Sequence, residues 1–511
     1  MMKLTKLTAA SLGAAALALL SGGAAQAQAL QVYGAGSSAV LNAALQAAVN
    51  QFPGGTAYIS GNINSPSGAT IVPTSGAVKL NDPSGNVTST STYFLYVQGG
   101  NVIFDASYDS TVGNRALFNS DTFDASGSSQ ATVNSMVSGK TVNVGFTDIR
   151  PEDALFATNR TLSLGYSIGN PLRDIFGNSF APVGFTLSPS YTTSIGAAPV
   201  VVVVNNKTAG SDTLLASAAN VNRYTLGNIL SGNLVRVGDL VPGAAPGSSV
   251  LTTYIREPLS GTYNTMEFTE VATLEGQLSP QALTQESGVN SNPNAQPSNA
   301  NPTGNPLNES GVLVGSGGVF GGFNGGAANG GRVRAIGTGQ EVKAANSTPN
   351  SLGYSFYSVG NLNPASNATN LRYLAVDGVD PLKASYSGGA FDGGAQVTLE
   401  NVANGSYSAF SIIRAVTQGS AQPTGALNTY LTSIAGANGT NKDFIAANSL
   451  TVFRSHRALN PQPGATSGVR PNNGIVSGTE AGSDVGGAVF LKVNEQDFNA
   501  DTGSTLTGSR Q

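Results

Sequence analysis

The segment Ile255-Arg256-Glu257-Pro258-Leu259-Ser260-Gly261-Thr262 sets one guanidinium four residues ahead of a Ser-Gly-Thr turn. Where such a turn opens a helix, its hydroxyls and unpaired backbone N–H groups converge on one point. Arginine adds a planar fork of donors whose spacing matches a tetrahedral oxyanion. The segment reads as an anion cradle. The same residues also fit an ordinary turn beside a surface arginine, so the rest of the chain has to decide.

Upstream, Gln31-Val32-Tyr33 is a strand candidate, followed by Gly34-Ala35-Gly36-Ser37-Ser38. Val40, Leu41, Ala44, Leu45, Ala48, Val49 and Phe52 then recur at helical spacing, which predicts a helix over about 39–52. Strand, glycine turn, serine and helix in that order aim N–H groups and hydroxyls at whatever lies above the helix start. The G-x-G-x-x-G pattern of dinucleotide sites is absent. A second such turn, Asp109-Ser110-Thr111-Val112-Gly113, precedes a helical pattern through Leu117 and Phe118. Val142-Asn143-Val144-Gly145-Phe146 reads as a strand with Thr147-Asp148 at its carboxyl end, where α/β sheets bind ligands. An N-cap role for Asp148 ahead of Pro151 fits equally well. Pro199-Val200-Val201-Val202-Val203-Val204 predicts a fully buried strand, and Tyr224 to Leu230 a short helix.

Residues 53–100 read as hairpins or an elaborated loop, with strands at Tyr93–Val97 and Val102–Phe104. Residues 276–331 are dense in Asn, Pro, Ser and Gly, a composition that buries little apolar surface, and read as a long insertion. Beyond it, Gly337-Thr338-Gly339 opens another helix and Ser351–Phe356 reads as a strand. Strands at Leu371–Val376 and Ser411–Val416 and a helix at Gly425–Ile434 follow.

Composition narrows the chemistry. The 511 residues contain no Cys and one His, His456, so thiol chemistry, disulfides and thiolate metal sites are excluded. No spacing suits a metal, and none is expected as cofactor. A net charge of −4 with 10% charged residues gives no basic face for nucleic acid. Lys3 and Lys6, the apolar run Leu7–Leu20 and the A-x-A sites Ala25-Gln26-Ala27 and Ala27-Gln28-Ala29 form a secretory signal peptide, expected over 1–29. Without a cysteine at that site a lipid anchor is not expected, and no later run is long and apolar enough to span a bilayer. The mature chain is expected in the periplasm or medium.

The ordered set Gly34-Ala35-Gly36-Ser37-Ser38, Asp109-Ser110-Thr111-Val112-Gly113, Phe146-Thr147-Asp148 and Arg256-x-x-x-Ser260-Gly261-Thr262 resembles the phosphate-binding proteins of bacterial phosphate ABC transporters. Gly337-Thr338-Gly339 and Leu352-Gly353-Tyr354 are similar to that family's closing motifs. The resemblance implies an α/β, two-lobed type II periplasmic-binding-protein fold. Two strands cross between the lobes, and loop insertions elaborate them. It places residues 30–180 and 355–511 in lobe one and 181–354 in lobe two. It implies no enzymatic activity, inorganic phosphate as ligand and an ABC permease as partner. By motif, Ser38 and Ala39 bind through hydroxyl and N–H. Ser110 and Asp148 complete the first lobe's contacts, and Arg256, Ser260, Gly261 and Thr262 come from the second.

Three departures stand out. Ser38 replaces the usual Thr and keeps the hydroxyl. Ala39 replaces Phe and loses an apolar wall. Asp109 replaces Gly and would repel an anion unless it points away or pairs with a cation. Two other readings stay open: a surface or matrix protein that keeps the fold without transport, and a secreted phosphate-ester hydrolase.

Overall fold

The computed structural model describes residues 29–163, 166–174, 176, 178–230, 234, 236–241, 249–266, 269, 331–438, 443–450, 452–454 and 490–492. The signal segment up to residue 28, the insertion 276–330 and His456 lie outside them. One mixed sheet organises the chain. The strands along its main path are β1 (Gln31–Gly36), β2 (Thr56–Ser60), β3 (Thr70–Pro73), β4 (Tyr93–Gln98), β5 (Asn101–Ser107), β6 (Val144–Thr147), β7 (Ser190–Asn205), β8 (Thr252–Arg256), β9 (Gly331–Ala335), β10 (Ser351–Phe356) and β11 (Phe410–Gln418). Their order is β9-β8-β10-β7-β11-β6-β1-β5-β4-β2-β3. The strands from β3 to β11 are called lobe one here and those from β10 to β9 lobe two, with β7 shared between them.

The 16-residue strand β7 belongs to both lobes. Its first half pairs antiparallel with β11, from Ser190↔Gln418 to Pro199↔Phe410, and joins lobe one. Its second half pairs with β10, from Val200↔Phe356 to Asn205↔Ser351, and joins lobe two. The all-valine run Val200–Val204 is buried throughout, as its unbroken apolar reading requires. After β10 the chain stays beside lobe two, where Leu371–Tyr373 pairs with the far end of β7 and Ala375–Val376 with Asn220–Val221. It re-enters lobe one at β11, which inserts antiparallel between β7 and β6.

In lobe one β1 lies parallel to both β5 and β6, so three strand ends open on the same side. Helix α1 (Leu41–Gln51) follows β1 through a short 3₁₀ turn, Ser38–Val40, and buries Leu41, Ala44, Leu45, Ala48 and Val49. Each fully buried Leu or Val of that stripe contributes about 1.5–3 kcal/mol. Helix α2 (Ser110–Asn119) starts at the end of β5, and helix α3 (Pro151–Ser163) follows β6. Gly36 explains how closely these parts sit. Its φ is +136°, and a Cβ there would lie 1.9 Å from the Phe146 carbonyl oxygen. Gly113, one turn into α2, leaves equally little room: a Cβ would meet the Ala35 oxygen at 2.6 Å. Glycine at both positions lets α2 rest directly on β1 and β6.

The segment 53–100 supplies three strands of the main sheet, β2, β3 and β4, and a hairpin of Val78–Asn81 with Val87–Thr90, which pairs with Thr122–Asp124. In lobe two, helix α4 (Gly261–Met266) follows β8, and helix α5 (Thr338–Ser347) follows β9. Among the described residues no helix is long and apolar enough to cross a membrane.

Candidate functional site

Backbone bonds between turns fix the lobe-one half of the site. Ser37 N–H donates to the Phe146 oxygen at 2.8 Å, and Tyr108 N–H donates to the Gly36 oxygen at 2.6 Å. The carboxyl ends of β1, β5 and β6 are thereby locked together. Ser110 is the first residue of α2 and is buried. Its hydroxyl accepts from the Asp148 N–H at 3.3 Å. Asp148 is buried behind it, with its own carbonyl held by the Ser411 hydroxyl.

The lobe-two half presses directly on these groups. Gly261 opens α4, and a Cβ there would stand 2.5 Å from both Asp148 Oδ2 and Ser110 Oγ. The Thr111 hydroxyl donates across the boundary to the Leu259 carbonyl. Ser260 is buried, its N–H donating to the Glu257 oxygen at 2.9 Å and its hydroxyl accepting from Tyr263 N–H at 3.4 Å.

Arg256 is 2% exposed and has a partner for every N–H. Nε and Nη2 fork onto Glu257 at 3.0 and 2.9 Å. Nη1 reaches the Thr338 hydroxyl at 2.6 Å and the Thr262 hydroxyl at 3.4 Å. Nη2 crosses to Asp109 Oδ1 of lobe one at 2.8 Å. The extra carboxylate flagged in the sequence therefore pairs with a cation, and that cation is the fork itself.

Protonation follows from burial. Burial raises Asp109 well above the ordinary carboxyl value, and the negative charge of Glu257 and a hydrogen bond to it raise it further, against the pull of Arg256. Burial works the same way on Glu257, but the Arg256 charge and the hydrogen bond from Asp109 outweigh it and hold Glu257 low. Of the two carboxyls, Glu257 is therefore the readier to ionise beside Arg256 and Asp109 the readier to keep a proton. Asp148 is pushed to about 6 by burial, opposed by the Ser37 hydroxyl and the charges of Arg256 and Arg414. Asp148 Oδ1 is buried without a hydrogen-bond partner. Glu341, in the first turn of α5, is pushed to about 8 by burial, with Arg256 opposing; its Oε1 accepts from Tyr354 N–H at 2.9 Å.

The structure brings Ser110, Asp148 and Gly261 into contact, and Arg256 with Thr262; Ser260 sits at the turn between Arg256 and Gly261. Ser38 faces outward on the wall of the interlobe cleft, and the Ala39 N–H donates to Ser37 Oγ at 3.3 Å. Ser37, one residue earlier, is buried and bonds Asp148. Sequence reading did not assign Ser37, Glu257, Thr338, Glu341 or Arg414 to the site. Glu257 adjoins Arg256 and Thr338 lies in a quoted motif, so both had a local signal. Glu341 and Arg414 reach the site only through folding. The constellation is one guanidinium among hydroxyls and buried carboxyls.

No protein-family model and no curated protein matches the sequence. Among solved structures the chain is similar to a putative phosphate ABC transporter substrate-binding protein with bound phosphate from Clostridium perfringens. Identity is 12% over 80% of this chain and 92% of that one, with a TM-score of 0.34. It is also similar to PstS from Borrelia burgdorferi, at 11% identity over 81% and 98% of the two chains and a TM-score of 0.32. A third is the high affinity periplasmic phosphate-binding protein PfluDING bound with phosphate, at 13% identity over 68% and 84% and a TM-score of 0.33.

Proposed function

We propose that this chain is an extracytoplasmic solute-binding protein that takes inorganic phosphate between its lobes for ABC-type import. The signal-like start of the sequence supports the location, and the ordered turn motifs support the ligand. The observation that carries the reading is the cross-lobe bond of Arg256 to Asp109. It joins the two lobes through a guanidinium held by an oxygen ligand. A phosphate oxygen that displaces the Asp109 carboxyl keeps that donor satisfied and joins the lobes in the same way. On this reading Ser110, Thr262 and the Asp148 carboxyl are the further ligand groups, which requires the lobe-two turn at Gly261 to draw back from Asp148 and Ser110. With Asp109, Asp148, Glu257 and Glu341 all nearby, an anion that brings its own proton is favoured over one that brings none.

Calorimetric titration tests this, on protein stripped of bound ligand by unfolding and refolding. Phosphate binds, sulfate binds far more weakly, Arg256→Ala abolishes phosphate binding, and a chromogenic phosphate ester is not hydrolysed. Absence of phosphate binding, or equal affinity for sulfate, removes the assignment.

A further inference from the structure

The interlobe cleft extends well beyond the groups that would hold a phosphate. Its volume is about 750 Å³. That lies in the range of clefts that take whole small molecules, roughly 300–1,000 Å³, whereas four phosphate oxygens fill a small part of it. Asp109 and Thr338 line this cleft, and both hydrogen-bond the Arg256 guanidinium, at 2.8 and 2.6 Å. The guanidinium therefore lies just beneath the cleft floor. An anion that takes the place of Asp109 has open space directly above it.

The walls have one chemistry. Among the described residues that line the cleft, Asp109 is the only carboxylate and no Lys or Arg is present. Side-chain amides and hydroxyls dominate, including Asn42, Asn62, Asn361, Thr88, Ser89 and Thr90. The Tyr108 and Phe180 rings and Ile168 supply apolar surface. A smaller recess of about 320 Å³ shares Asn62 and Asn361 with this cleft and adds Lys343. Uncharged donors and acceptors interleaved with apolar faces match a polyhydroxylated ring or chain, which presents hydroxyl edges and C–H faces. Much of this wall comes from the elaborated segment 53–100: Asn62 and Ile63, and the stretch Asn86–Thr90 of the hairpin.

From this juxtaposition we propose that the site accepts phosphomonoesters of sugars or polyols, with the phosphoryl group on Arg256 and the hydroxylated part in the cleft. The inference rests on the proposed role of Arg256 as anion anchor and extends the ligand class. The ester oxygen points away from the lobe-two turn, because Gly261 leaves no room against Asp148 and Ser110. It leaves through the opening bordered by Asp109 and Thr338.

The test is a set of titrations of the full chain, stripped of bound ligand, with inorganic phosphate, glucose 6-phosphate, glycerol 3-phosphate and glucose. The esters bind at least as tightly as phosphate, and glucose alone binds weakly. Removing two amides in an Asn62→Ala, Asn361→Ala double variant, or filling the cleft with Ser89→Trp, weakens glucose 6-phosphate by about tenfold or more, the loss expected for two net hydrogen bonds. Phosphate affinity stays within about twofold of wild type, which a variant that simply failed to fold would not preserve. Phosphate binding without competition from either ester overturns the inference and leaves the phosphate reading intact. Wall variants that weaken both ligands equally also overturn it. Glucose binding that survives Arg256→Ala makes the cleft a neutral-sugar site and overturns it. Failure of every phosphate to bind ends both proposals.

Discussion

Arg256 Nη2 stands 2.8 Å from Asp109 Oδ1, and the two residues belong to opposite lobes. The same guanidinium forks onto Glu257 in its own lobe. One cation therefore has two carboxyl partners, one in its own lobe and one across the boundary that a ligand oxygen can displace. Removing the Asp109 carboxyl and changing its titration are separable experiments.

Asp109→Ala uncovers the guanidinium and raises phosphate affinity. The gain expected is about 1.5–3 kcal/mol, the net strength of a hydrogen bond to a charged group. Asp109→Asn keeps an oxygen for Arg256 and a donor for Glu257, so it mimics the protonated acid. Its affinity stays near wild type while the pH dependence that Asp109 contributes disappears. Titration calorimetry at several pH values checks both. Lower affinity in Asp109→Ala would mean that the carboxyl helps hold the ligand.

Arg256→Lys keeps a charge but loses the planar fork onto Glu257. Phosphate binding weakens by about 1.5–3 kcal/mol. Arg256→Ala leaves Glu257 buried without its counter-charge, at a cost of about 3–5 kcal/mol in stability. Denaturant melts and calorimetry on the two variants read the two losses separately. Wild-type stability in the alanine variant would contradict the buried pair.

On the proposed phosphate reading, Asp148 sets the proton requirement. Its Oδ1 has no protein partner, and burial holds its pKa at about 6. Above that pH the ionised carboxylate accepts the proton of a phosphate but faces a bare oxygen of sulfate, which gives discrimination of roughly a thousandfold. Asp148→Asn donates to either anion and narrows the gap. Competition of sulfate against phosphate measures it, and unchanged selectivity in the variant would take Asp148 out of ligand contact.

The stability contributed by Glu341 and Asp148 falls as pH rises. Glu341 binds its proton with a pKa of about 8 against an ordinary 4.5, and Asp148 at about 6 against 3.8. Both are raised by burial, so the folded state holds these protons more tightly than the unfolded one. Their contribution is complete below the ordinary values and is lost as pH climbs through about 6 and then about 8. Glu341→Gln fixes the neutral form. It matches wild type near pH 4 and is more stable near pH 9, by on the order of 5 kcal/mol. Melting temperatures across that range check the sign.

Gly113→Ala tests the seat of α2. Its Cβ would meet three backbone atoms, Ala35 O at 2.6 Å and Gly36 Cα and Phe146 O at 2.8 Å. None is the end of a flexible side chain, so the helix must lift. A loss of about 3 kcal/mol follows, at the upper end for overpacking, and thermal melts measure it.

Much of this was legible locally. The apolar stripe of α1, the valine run of β7, the helix at Gly425–Ser433 and the turn glycines read directly from spacing, because each is a property of consecutive residues. Ser37 and Ser38 show the limit. Both hydroxyls suit a turn, and only the bond of Ser37 N–H to the Phe146 oxygen decides which one turns inward. Glu341 reaches the site because α5 packs against β8 and β10, a fact about tertiary pairing that no run of residues states. The lining of the cleft draws on segments as far apart as Ser38 and Asn361. Its shared character was invisible until Asn62 and Asn361 stood on one wall.

The insertion of β11 between β6 and β7 also governs the order in which the chain can acquire structure. Arg414 of β11 pairs with Thr147 of β6, and Ile412 with Ala197 of β7. Until residues 410–418 have been synthesised, β6 and the first half of β7 are strand edges with an empty slot between them. Closing that slot is a long-range event, and such pairings are intrinsically slow. A chain that emerges amino end first is therefore held short of its finished core until late in synthesis.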